Sequence, residues 1–155
     1  MKVHYIACSV SSSLDAASNQ LSLFHMLDEI SGAVFPLSLP SFCVAALFER
    51  EAKDAVVQSF VLAVSLNSAL IASFTMSVDF ATARRNRSVN TIRGLTIPTS
   101  GMVTITLLQK TKVLAVWEAP AVESVARGPG AKAAAKTAAA AEPRIAGPKN
   151  ALAVN

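Results

Sequence analysis

The sequence predicts an all-β fold, an antiparallel sandwich of about eight short strands followed by a flexible C-terminal tail. Three observations carry this. Apolar residues alternate with polar ones at period two in several segments, turn-forming residues recur between those segments, and the only stretch with helical character lies beyond residue 120. A chain of 155 residues is long enough to bury a core of its own.

Residues 2–10 read as a first strand, followed by a Ser/Asp/Asn loop over 11–19. Residues 20–30 read as a second, ended by Ser31-Gly32. A third spans 41–49, after Pro36 and Pro40, which both interrupt regular pairing. A fourth spans 55–66, and Asn67-Ser68 supplies a turn into a fifth over 70–80. That fifth strand has the clearest pattern. Leu70, Ala72, Phe74, Met76, Val78 and Phe80 share one face, and Ser73, Thr75, Ser77 and Asp79 share the other. A weaker sixth strand covers 89–97. Residues 102–109 and 112–117 form a final hairpin, with Val103, Ile105 and Leu107 opposite Thr104 and Thr106.

Composition narrows the class. Apolar residues make up 52% of the chain and charged residues 15%, against about 25% charged in an ordinary soluble domain. A mean hydropathy of +0.46 excludes disorder of the whole chain. Two cysteines cannot supply a disulfide framework. The apolar stretch between Lys2 and Cys8 is too short for the core of an export signal, so Cys8 and Cys43 are expected to be reduced thiols in a cytoplasmic protein. The longest low-charge run, residues 55–78, is broken by Gln58, Asn67 and several serines, and no membrane span is expected.

Charge divides the chain in two. Residues 1–120 hold nine Lys/Arg and eight Asp/Glu and form the expected sandwich domain. Residues 121–155 hold five basic and two acidic residues and thirteen alanines, a low-complexity Ala/Lys/Pro-rich basic tail. Alanine favours helix over 131–141, but a segment that short is marginal alone in water.

Two stretches carry a resemblance. Leu21-Ser22-Leu23-Phe24, then Asp28-Glu29-Ile30 and Phe35-Pro36, resembles a family of small uncharacterised bacterial proteins, a domain of unknown function. Leu95-x-Ile97-Pro98-x-x-Gly101-x-Val103-x-Ile105, running into residues 113–117, is similar to the end of immunoglobulin-like sandwiches, where a Pro-x-x-Gly turn feeds the last two strands. The resemblance covers residues 1–120. It implies an immunoglobulin-like fold and transfers no catalytic residue.

Candidates for chemistry are few. His4 and His25 with Cys8 and Cys43 offer zinc-type ligands, but their spacing matches no compact metal motif, and they read as structural. Asp28 and Glu29 are adjacent on an expected strand and so face opposite ways. No Gly-x-Ser-x-Gly elbow and no phosphate-cradling glycine loop occurs, so no enzyme, metal or cofactor is expected. Arg84-Arg85-Asn86-Arg87 is the sharpest polar feature, expected in a loop with Arg93 and Lys110 nearby. Three arginines in four residues suit phosphate oxygens or an acidic partner, and Lys132 and Lys136 in the tail extend that surface.

Several expected strands carry apolar residues on both faces. Leu21, Leu23 and Leu27 oppose Phe24, Met26 and Ile30, while Val56, Phe60, Leu62 and Val64 oppose Val57, Val61 and Ala63. A two-sheet sandwich buries one face of each sheet, so the second needs a cover. The expectation is a non-enzymatic protein-binding or assembly module that self-associates through those faces as a homo-oligomer or as a subunit of a larger assembly. The alternative is a nucleic-acid-associated protein using Arg84, Arg85, Arg87 and the tail.

Overall fold

The computed structural model describes residues 1–124. The expected tail helix, Lys132 and Lys136 lie outside the described residues. Within them, nine strands build two sheets, and no helix is long and apolar enough to cross a membrane. Strands β1 (Lys2–Leu14), β2 (Leu21–Met26), β4 (Leu37–Glu49) and β7 (Arg85–Ile97) form sheet I, in the order β2-β1-β4-β7. Strands β3 (Ile30–Gly32), β5 (Val57–Leu66), β6 (Ala69–Asp79), β8 (Gly101–Gln109) and β9 (Lys112–Glu123) form sheet II, in the order β3-β9-β8-β5-β6. All pairings are antiparallel except β3 with β9.

Period-two alternation sets the core between the sheets. Phe42, Val44, Ala46 and Phe48 of β4 face Phe60, Leu62 and Val64 of β5 and Val103, Ile105 and Leu107 of β8, all buried. Phe48 and Phe60 meet with ring centroids 4.7 Å apart and planes tilted by 31°, an offset aromatic contact linking the two sheets.

The expected turns at Asn67-Ser68 and before Gly101 form one locked corner. Asn67 and Ser68 have φ of 48° and 71°, the double left-handed pattern of a tight two-residue hairpin between β5 and β6. Asn67 then pairs with Met102, its N–H donating to the Met102 carbonyl and its Oδ1 accepting the Met102 N–H, both at 2.9 Å. Gly101 has φ of 151°, and a Cβ there would overlap the Asn67 amide, so only glycine fits.

Several boundaries differ from the sequence expectation. The expected second strand, 20–30, is two strands in different sheets. His25 at φ 55° interrupts its alternation, and the chain crosses at residues 27–29, leaving Asp28 and Glu29 exposed in the break rather than on a strand. That crossing supplies the ninth strand. β1 continues through the expected loop to Leu14, because residues 11–14 pair with Leu21–Phe24 and satisfy their backbone groups there. β4 begins at Leu37 and passes through Pro40, in a stretch where only β7 pairs with it. Proline is tolerated at such a sheet edge.

Opposite Pro40 in the ladder lies Gly94, at φ 69°. Both strands change face at that rung: Phe42 and Ile92 point inward on one side, Leu39 and Leu95 on the other. In β6, an irregularity opposite Val64 and Ser65 leaves Leu70 exposed, although its sequence parity matches the buried Met76 and Val78. β9 extends past Pro120 to Glu123, burying Ala119 and Ala121.

Candidate functional site

The two sheets treat their outer faces differently. On sheet I the outer face carries the rows Ala7–Ala45–Val89 and Ser9–Cys43–Thr91. Ser9, Cys43 and Ala45 are buried without belonging to the inter-sheet core. Their cover is the distal half of the β1–β2 hairpin, which curls over β4 and β7. The Ser12 hydroxyl lies 3.4 Å from Cys43 Sγ, and Leu14, Asn19 and Leu21 line a small cavity with Arg87 and Val89. One part of the second apolar face is therefore covered by the chain itself.

On sheet II the described residues place nothing over the outer face of the four long strands. Cross-strand pairing aligns Val61 with Leu108 and Leu108 with Val113; in the next row Ala63 pairs with Thr106, and Thr106 with Val116. Val113 and Val116 are exposed, and Val61, Ala63 and Leu108 are half-buried. These rows form one contiguous apolar patch. Beside it Thr104 donates a hydrogen bond to Glu118 Oε1 at 3.3 Å, on the adjoining rung. Val113, Val116 and Leu108 were not legible as a face, because a bulge inserts Leu114 into β9 and disrupts its alternation.

The arginine cluster is not a free loop. Arg85 and Arg87 lie on β7, opposite Glu49 and Leu47, and only Arg84 precedes the strand. The run Arg-Asn-Arg lacks strand-forming residues, yet β4 offers a complete ladder that overrides weak local preference. Arg84 Nη2 is 3.2 Å from Glu49 Oε1, and Arg85 Nε is 3.2 Å from Glu49 Oε2. Arg87 donates instead to the Asn19 carbonyl at 2.7 Å, tying β7 to the curled hairpin. Arg93 sits opposite Ser41, on the far half of β7, away from the other three.

Glu49 is the hub of this corner. His4, the extra residue of a bulge in β1, places Nε2 2.7 Å from Glu49 Oε2. That hydrogen bond, then those from Arg85 and the nearby charge of Arg84, hold the Glu49 carboxyl below the usual range against partial desolvation. Nearby, Asp54 accepts the Glu51 N–H at 2.9 Å, and the Met1 ammonium lies 2.7 Å from Asp54 and 2.8 Å from Glu51.

The four zinc-type residues do not converge. His4 bonds Glu49, while His25 lies between the pairs Ser9–Met26 and Ser11–Phe24, well along the strand. Cys8 is in the core with its thiol pushed up to about 12 by burial, which leaves it an inert packing group at neutral pH. Cys43 lies between Ser12 and Thr91. Among the described residues, no three His, Cys, Asp or Glu side chains are grouped to hold a metal ion. Compared with family models and with curated proteins, the chain finds no match.

Proposed function

We propose that the protein is a non-enzymatic assembly module that self-associates through the outer face of sheet II. The observation that carries this is the contiguous patch Val61–Leu108–Val113 and Ala63–Thr106–Val116 on regularly paired strands. Apolar residues lined up across adjacent strands form a flat surface that packs on a second sheet at the spacing of a sandwich interior. Four strands at about 4.8 Å spacing and about ten residues long present roughly 600 Å² per partner, the lower end of stable interfaces. A second copy is the occupant we favour, because a flat patch of uncharged residues such as Val61, Ala63, Leu108, Val113 and Val116 suits an isologous dimer.

The strand order supports an immunoglobulin-like reading of the fold. The succession β9-β8-β5-β6 corresponds to the G-F-C-C′ order of variable-type domains, and the β4–β7 pair corresponds to B beside E. Kinship with the small bacterial family that the sequence resembles is part of the same proposal. The nucleic-acid alternative has less to stand on at its expected residues, since Arg84, Arg85 and Arg87 each have an internal partner.

The test is the mass of the full chain in solution by light scattering at about 50 μM, compared with Val116→Lys. A homo-oligomer that the lysine dissociates supports the reading; a wild-type monomer overturns it.

A further inference from the structure

The end of the sandwich where β1 and β7 begin and β4 and β8 finish is strongly charged. It gathers every Lys/Arg of the described residues except Arg93, eight of nine, and four of their nine Asp/Glu, a balance of +4. The carboxylates there are engaged. Glu49 is bonded by His4, Arg84 and Arg85, Glu51 pairs with Lys53 at 3.2 Å, Asp54 accepts the Glu51 N–H, and Asp79 accepts the Ala81 N–H at 2.8 Å. Lys110 and Lys112, by contrast, make no ion pair or side-chain hydrogen bond among the described residues.

Those two lysines open onto a cleft of about 560 Å³ with Lys53, Asp54, Gln58 and Gln109. Its amides are fixed: Gln109 Nε2 donates to Gln58 Oε1 at 2.7 Å, and Gln58 Nε2 donates to the Ala55 carbonyl at 2.9 Å. A second observation concerns the turn that carries Lys110. This residue is left-handed, at φ 55°, in the two-residue link between Gln109 and Lys112. Glycine or asparagine suits that conformation best, so a lysine there is an unfavourable local choice that sets its ammonium at the cleft.

We propose that this cleft binds a compact, phosphate-rich anion held by Lys53, Lys110 and Lys112. Lysine ammoniums are mobile point charges suited to the rotating oxygens of phosphate groups. The volume falls in the range of small-ligand sites, and the positive balance of this end raises the local concentration of anions. No aromatic side chain lines the cleft, so there is no platform on which a base would stack, and recognition is of the phosphates themselves. The anion site thus lies at Lys110 and Lys112, with Lys53 beside them, rather than at the arginines the sequence brings forward.

The experiment is a titration of the full chain with inorganic tripolyphosphate, followed by amide chemical shifts in about 20 mM salt. Saturable shifts centred on residues 53–58 and 109–112 are expected, with binding about tenfold weaker in about 200 mM salt. Lys110→Asn, which suits the same turn conformation, and Lys112→Gln should each weaken binding about three- to fivefold, and Arg93→Gln should leave it unchanged. Shifts centred on residues 84–87 or beyond residue 124 would overturn the assignment. So would the absence of saturation, or undiminished binding by the Lys110→Asn/Lys112→Gln double variant.

Discussion

The two outer faces of the sandwich both carry apolar or small residues and end differently. Both sheets contain strands with apolar or small residues on each side. On sheet I, β1 is long enough to carry its hairpin with β2 back over β4 and β7, and Cys43 and Ala45 lie buried beneath it. On sheet II, the tight turns at Asn67-Ser68 and Lys110-Thr111 join β5 to β6 and β8 to β9 directly, so among the described residues no segment covers Val61, Leu108, Val113 and Val116. Two-sided apolarity is therefore not one signal but two. A long hairpin lets the chain bury its own second face, and short hairpins leave that face open among the described residues.

The largest expected effect contrasts the inner face with the open one. Phe60→Ala removes the ring that links the sheets and should cost about 3–5 kcal/mol in chemical denaturation, whereas Val61→Thr, one residue along, should stay within about 0.5 kcal/mol for the monomer. Equal losses at both positions would mean that the outer face is packed within the chain. The self-covered face is probed next. Leu21→Asp places a charge under the curled hairpin and should destabilise by about 1–2 kcal/mol. It should also speed reaction of Cys43 with a thiol reagent, while Cys8, its thiol raised to about 12 by burial, stays unreactive in the folded protein.

The smallest effect is electrostatic, at the corner joining β1, β4 and β7. The Glu49 carboxyl is held below its ordinary value chiefly by His4, then by Arg85 and Arg84. A depressed carboxylate stabilises the fold above its unfolded value and loses that contribution as pH falls through its folded value. Glu49→Gln should therefore lower Tm at pH 7, and the difference from wild type should shrink toward pH 3. A difference that grew on acidification would contradict the pairing.

Much of the fold was legible because alternation and turn chemistry agree. The fifth strand, the Asn67-Ser68 turn and the final hairpin all form at their expected places, with ends within a residue except that β9 runs on to Glu123. What escaped depends on long-range pairing. Ser11–Leu14 carry no apolar alternation and become strand only because Leu21–Phe24 lie beside them. Arg85 and Arg87 become strand because β4 supplies partners from Glu49 to Leu37. The change of face at Pro40 and Gly94 was written in the sequence, where Leu37 and Leu39 are out of phase with Phe42, Val44, Ala46 and Phe48. Its meaning required knowing that the two residues are opposite each other. Lys110 and Lys112 were equally visible, but that they have no partner among the described residues is a property of the assembled end alone.

The open face of sheet II is proposed to be where a second copy binds. Light scattering of wild type and Val116→Lys at about 50 μM tests it most directly, with circular dichroism showing that both are folded. A wild-type mass at least twice the 16.2 kDa of the chain and a monomeric variant are expected. A wild-type monomer, or a variant that keeps the wild-type mass, would contradict it.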